Sequence, residues 1–128
     1  MSNKIVNDIL QRRLKDKWAD QTPIVYDNMN YKPVRGKAFI RCVLDAVESQ
    51  QMSMLCTRTE YLFTVQVFTP SDEGVDNNLT LSDDVIAAFI GYSEDTLIVL
   101  RAYSERTGEE EEWHQRNIRI TLTYDNHI

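Results

Sequence analysis

The segment Thr59-Glu60-Tyr61-Leu62-Phe63-Thr64-Val65-Gln66-Val67-Phe68-Thr69-Pro70 restricts the fold more than any other part of the chain. Tyr61, Phe63, Val65 and Val67 fall on one face of an extended strand, and Glu60, Thr64 and Gln66 fall on the other. Such alternation marks a half-buried strand, apolar toward a core and polar toward water. Pro70 cannot donate to a ladder and ends the strand, and Ser71-Asp72-Glu73-Gly74 turns the chain toward a helix. The rest of the chain must pair with this strand or cover its apolar face. The segment holds no catalytic group, which points to surfaces rather than chemistry.

The flanking sequence supplies both kinds of partner. Ser2 or Asn3 can cap a helix to about Lys17, with Ile5, Ile9, Leu10, Leu14 and Trp18 as its apolar stripe. Arg12, Arg13, Lys15 and Lys17 gather at its C-terminal end, where the helix dipole favours cations. The plainer assignment is a solvated face; the sharper one is a phosphate contact. Pro23 follows the break, and Ile24-Val25-Tyr26 reads as a short strand. Residues 27–37 form a turn-rich loop, and two tyrosines and a methionine there, Tyr26 at its entry with Met29 and Tyr31 within it, either tuck onto the core or offer contact area to a partner. Ala38–Val47 is a strand with Ala38, Ile40, Cys42, Leu44 and Ala46 on its apolar side, forming a long antiparallel hairpin with Leu55–Phe68. The connection Glu48–Met54 reads as a projecting polar tip, where Met52 and Met54 are adaptable docking side chains.

A second helix is expected from Asn77 to Ile90, capped by Asp76 and closed by Gly91 in a left-handed conformation. Leu79, Ser82, Val85, Ile86, Phe89 and Ile90 are its inward residues. Thr96–Tyr103 is a further strand, Ser104–Glu112 a hydrophilic connection, and Trp113–Tyr124 the last strand, with Ile118, Ile120, Leu122 and Tyr124 on one face. Glu109, Glu110, Glu111 and Glu112 repel one another and belong in an exposed loop. The expected fold is α+β, an antiparallel sheet with two helices packed on one face, in the order α-β-β-β-α-β-β. At 128 residues the chain makes one domain, 1–128.

Composition removes several function classes. The net charge of −6 argues against indiscriminate binding of nucleic-acid phosphates. No apolar run approaches the ~20 residues of a membrane helix, and the N-terminus lacks a signal-peptide core, so a cytoplasmic setting is expected. Cys42 and Cys56 read as reduced structural thiols; with His114 and His127 they show no zinc-ligand spacing, so no metal or cofactor is expected. Four glycines include no phosphate-cradling loop, and no nucleophile has a base assigned to it, so no catalytic residues are expected.

Taken together, Pro23–Asn28, Tyr31-Lys32-Pro33, Phe39–Leu44, Arg58–Pro70 followed by Gly74, Leu81–Phe89 and Trp113–Tyr124 resemble phage tail terminator-like proteins. The resemblance spans nearly the whole chain. One departure is Glu60, where the pattern often carries glycine shortly after the arginine. The resemblance implies a virion protein that forms a homohexameric ring on the head-proximal end of a tail tube. It implies that the ring halts tube polymerisation, meets the tube protein on one side and a head-tail connector or stopper on the other, and lets DNA pass without specific binding. Six copies would carry six times −6, or −36. Candidate interface residues are Tyr31, Met52, Met54, Arg58 and Trp113, and Glu109–Glu112 are an acidic lumen or an exposed loop. Two other readings stand beside this one: a different head-tail joining protein of the neck or tail-completion kind, and a cytoplasmic small-ligand-binding α+β domain.

Overall fold

The computed structural model describes residues 2–19, 21–26, 32, 36–53, 56–71, 76–109 and 113–127. Helix α1 (Ser2–Trp18) is followed by strands β1 (Ile24–Tyr26), β2 (Phe39–Ser53) and β3 (Cys56–Pro70). Helix α2 (Asp76–Phe89) leads to β4 (Ser93–Glu94), β5 (Leu97–Glu109) and β6 (Trp113–His127). The strands make one sheet in the order β1-β2-β3-β6-β5-β4. The expected α+β order holds, with the two-residue strand β4 added and one neighbour pair, β1 and β2, running parallel. A parallel pair needs a crossover of about a dozen residues, and the connection 27–38 provides that length.

The opening segment behaves as its alternation demands. Tyr61, Phe63, Val65 and Val67 are fully buried at the centre of the sheet, where β3 is flanked by β2 as far as Phe68 and by β6 along its whole length. They meet Ile118, Ile120 and Leu122 from β6 and the inner faces of both helices. Phe63 packs edge-on against Phe89 of α2 at 5.6 Å between ring centres. The Tyr61 hydroxyl donates to Asn3 Oδ1 at 2.6 Å, fastening the start of α1 to the same strand.

The helices turn slightly away from the expected stripes. On α1 the buried set is Val6, Ile9, Leu10, Leu14 and Trp18, while Ile5 is exposed. Residues 6, 10, 14 and 18 repeat every four positions with Ile9 between them, and Ile5 falls on the flank of that stripe. On α2 the inward residues are Asn78, Leu81, Ser82, Val85, Ala88 and Phe89; Leu79 and Ile90 face solvent. Asn78 takes the place expected for Leu79 because its amide donates to Thr69 Oγ1 at 3.0 Å and to the His114 carbonyl at 3.1 Å. A buried amide is tolerated only when bonded in this way. Gly91 does close the helix with φ +72°, and Tyr92 N donates to the Phe89 carbonyl at 3.0 Å.

Two expected connections are instead strand. Glu48–Ser53 continues β2, and Ser104–Glu109 continues β5. Their Ser, Gln and Glu content reads as loop, but a ladder is made by the backbone and accepts polar residues where neither face is needed for a core. The tip therefore does not project as a lone hairpin: β6 runs alongside it, pairing Asn126 with Thr57 and His127 with Cys56. Glu60, the departure from the family pattern, sits in regular ladder opposite Glu48 and Thr123.

Candidate functional site

Because both helices cover one side of the sheet, the other side has no helix on it among the described residues. It is lined by Arg41, Val43 and Asp45 of β2, Leu62, Thr64 and Gln66 of β3, Asn117, Arg119, Thr121 and Thr123 of β6, and Tyr103 and Glu105 of β5. Arginines 41, 58, 101 and 119 share this side with Asp45, Glu60, Glu105 and Asp125, so the described charges on it cancel although the chain is at −6. Arg58 grips Asp125 across the ladder, Nε at 2.7 Å and Nη2 at 3.0 Å, and this pairing holds the guanidinium above its ordinary pKa. Arg119 is paired with Glu105 in the same way, with the same direction of shift. An arginine-rich face with its charges matched offers planar donors without a net field.

At one end of this side Phe39 stacks on Phe68 at 4.6 Å and Trp113 meets Phe39 edge-on at 5.2 Å. Of the interface residues expected from the sequence, Trp113 is thus half-buried in its own chain's aromatic cluster, and Arg58 is exposed but engaged with Asp125. Met52 is the extra residue of a bulge between the Gln51–Thr57 and Ser53–Cys56 pairs. Tyr31, Met54 and Glu110–Glu112 lie outside the described residues, and Glu109 ends β5. Of the described positions, Met52 and Arg58 lie at one end of the β2–β3 hairpin, and Trp113 and Glu109 lie at the other end of the sheet.

The basic end of α1 is largely spent within the chain. Arg12 Nη2 bonds Glu94 at 2.8 Å. Arg13 Nε donates to the Ala88 carbonyl at 2.8 Å, its guanidinium carbon lying 4.2 Å from the centre of the Tyr92 ring. A cation at the last turn of α2 suits both its open carbonyls and its dipole. Lys15 and Lys17 stay exposed.

The features that sequence reasoning missed are the sheet's open margins. Along β5, β4 covers only Leu97 and Ile98, so the outer edge from Val99 to Glu109 has no strand on it among the described residues. Along β2, β1 covers Ile40 to Cys42, leaving the edge from Val43 to Ser53 equally open. Each margin carries a bulge with a large apolar side chain in it, Leu100 at 55% exposure on β5 and Val47 at 58% on β2. The Leu100 bulge shifts the two-residue alternation along β5: Leu97 and Val99 are buried, while Arg101 falls on the helix-free side and Ala102 packs on the core. The one available signal was that Leu100 and Ile98 fit neither a buried nor a solvated face.

The fold and its margins can be set beside known proteins. The family model described as phage tail terminator protein matches residues 5–124. The chain belongs to the phage tail terminator family. Terminators are structural proteins of the phage tail, and that role is the one this fold serves. A solved structure at 18% identity superposes with a TM-score of 0.64, covering 100% of this chain and 97% of the other, and carries the same fold. Among curated proteins none matches the chain. The described residues hold no group of three or more His, Cys, Asp or Glu placed to bind a metal, and no helix among them is long and apolar enough to cross a membrane. Cys42 is buried, its thiol 3.9 Å from the Val25 carbonyl, and Cys56 is half-buried.

Proposed function

We propose that this protein caps the head-proximal end of a phage tail tube as a homohexameric ring, stopping tube growth and presenting a docking surface to the head connector. The observation that carries the reading is the family match over nearly the whole chain, residues 5–124. The geometry is compatible with it. A tube grows because each added ring exposes the same adhesive surface to the next, and a terminator must match that surface once and then present a different one. One sheet side free of helices, with its charges matched, and two uncovered sheet margins are contact surfaces of that kind. The balanced helix-free side also suits a conduit: it offers DNA no excess of cations that would release counterions from the phosphates.

Deletion of the gene in the producing phage, followed by electron microscopy of the tails, tests the proposal. Overlong tubes without heads are expected, and purified protein added during assembly should restore the normal length. Tails of normal length that fail to join heads would assign the protein to another head-tail joining step. Normal tails joined to heads would end the proposal.

A further inference from the structure

We infer that the outer edge of β5 over Val99–Tyr103 is the seat for the Val43–Val47 edge of β2 from a second copy of this chain. The inference rests on the ring reading above and names the contact that would close the ring.

Direction comes first. β2, β3, β6 and β5 are successive antiparallel neighbours, so β5 runs opposite to β2. A copy generated by rotation about an axis along the strands keeps its strand directions. It therefore brings its β2 antiparallel to β5, the arrangement that gives the straighter hydrogen bonds. Such a contact is heterologous, and a heterologous contact that closes makes a ring.

Register follows from the ladder. Val43 is level with Thr64, Arg119 and Tyr103, and Ala46 is level with Tyr61, Leu122 and Val99. The two open intervals therefore lie at the same height on opposite margins, each bounded by the short strand that covers the remainder of its edge. Antiparallel addition at that height sets Tyr103 opposite Val43, and Arg101 opposite Asp45, of the second copy. Among the described residues neither Arg101 nor Asp45 has an ion partner, and both are exposed.

Apolar surface agrees with the register. Ile90, Leu100, Arg101, Ala102 and Tyr103 line a cleft of about 430 Å³ beside the β5 edge, and Ile90 is 63% exposed. The same pairing puts the two bulged residues on either side of the Val99–Ala46 level, Leu100 on the Asp45 side and Val47 of the second copy on the Ile98 side. Edges are protected from nonspecific pairing by charges, prolines and bulges, and a large exposed apolar side chain adds nothing to that protection. Beside their charges, these margins present Leu100 and Val47 outward from their bulges. The competing arrangement, β5 on β5 about Tyr103, would set Arg101 against Glu105, but Glu105 is already held by Arg119.

Disulfide trapping tests the contact. Arg101→Cys and Asp45→Cys are combined in a Cys56→Ser background, each single variant serves as control, and mild oxidation is run with and without purified tail tubes. Directly opposed residues lie about 4.5–5.5 Å apart at Cα, within disulfide reach. A covalent ladder rising to the full ring is expected from the double variant and from neither single one. A covalent dimer from a Tyr103→Cys variant, whose residue would face itself in the competing arrangement, would overturn the inference in favour of β5 on β5. Rings of wild-type protein seen by electron microscopy, with no ladder from the double variant, would overturn it while leaving the ring standing. Wild-type protein that forms no ring, even on tubes, would remove the ring reading and this contact with it. As a second readout, Asp45→Arg or Arg101→Asp should each weaken assembly at least about tenfold, and the two together should restore it; a double variant no better than the singles would count against the pairing.

Discussion

Replacing Phe63 with alanine tests the assignment of the core most directly. Phe63 is fully buried at the centre of β3, level with Leu44 and Ile120 and edge-on to Phe89 of α2 at 5.6 Å. Losing the ring from an apolar site removes about 2–3 kcal/mol of transfer free energy. The Phe89 contact contributes a further ~0.5–1.5 kcal/mol. A cavity at the middle of a ladder paired on both sides collapses poorly, so the total should reach ~3–5 kcal/mol. A domain of this size has about 5–15 kcal/mol in all. At a slope of about 2 kcal/mol/M, the urea midpoint should fall by about 1.5–2.5 M. Leu62→Ala is the internal control: it removes a neighbouring aliphatic side chain that is only half-buried on the helix-free side. That variant should lose about 1 kcal/mol. The assay is paired urea titration followed by far-UV circular dichroism. Equal midpoints for the two variants would refute the placement of the core on the Phe63 side.

Asn78→Leu should cost about 1–3 kcal/mol despite its added apolar surface, because Thr69 Oγ1 and the His114 carbonyl lose their shared donor; thermal unfolding of the pair decides this, and an unchanged melting temperature would speak against a structural role for the amide. Tyr26 and Tyr92 have pKa values raised from 10.0, in both cases chiefly by burial, with Cys42 adding for Tyr26 and Glu94 for Tyr92 against opposing Arg13 and Arg12. A raised folded-state value favours the neutral phenol in the fold, so this contribution is complete below pH 10.0 and is lost as pH climbs past it through the folded-state values. Urea midpoints between pH 8 and 11 should fall at the alkaline end, and Tyr26→Phe with Tyr92→Phe should flatten the fall; an identical slope in that double variant would exclude these tyrosines as its source.

Local regularities in the sequence determined a good deal of this molecule. The alternation of Tyr61, Phe63, Val65 and Val67 placed the central strand and its buried face, and all four are fully enclosed. The Asp76 start and Gly91 end of α2 were legible because capping depends on neighbouring residues alone. The resemblance to tail terminators was carried by the same stretches, and the family match covers them. Tertiary structure decided what depends on partners distant in the chain. Whether Ile5 or Val6 turns inward is set by where α2 and β6 lie, not by the spacing within α1. The strands extend through Ser53 and Glu109 because β3 and β6 are there to pair with them, which the polar composition of those segments conceals. The candidate contact surface was hidden for the same reason. Arg58 and Arg119 are committed by Asp125 and Glu105, while Leu100 and Val47 are turned out by bulges at margins that exist only once the sheet is assembled. Periodicity records which face of an element is buried; an edge is defined by the absence of a neighbour, and no residue in the strand encodes that by itself.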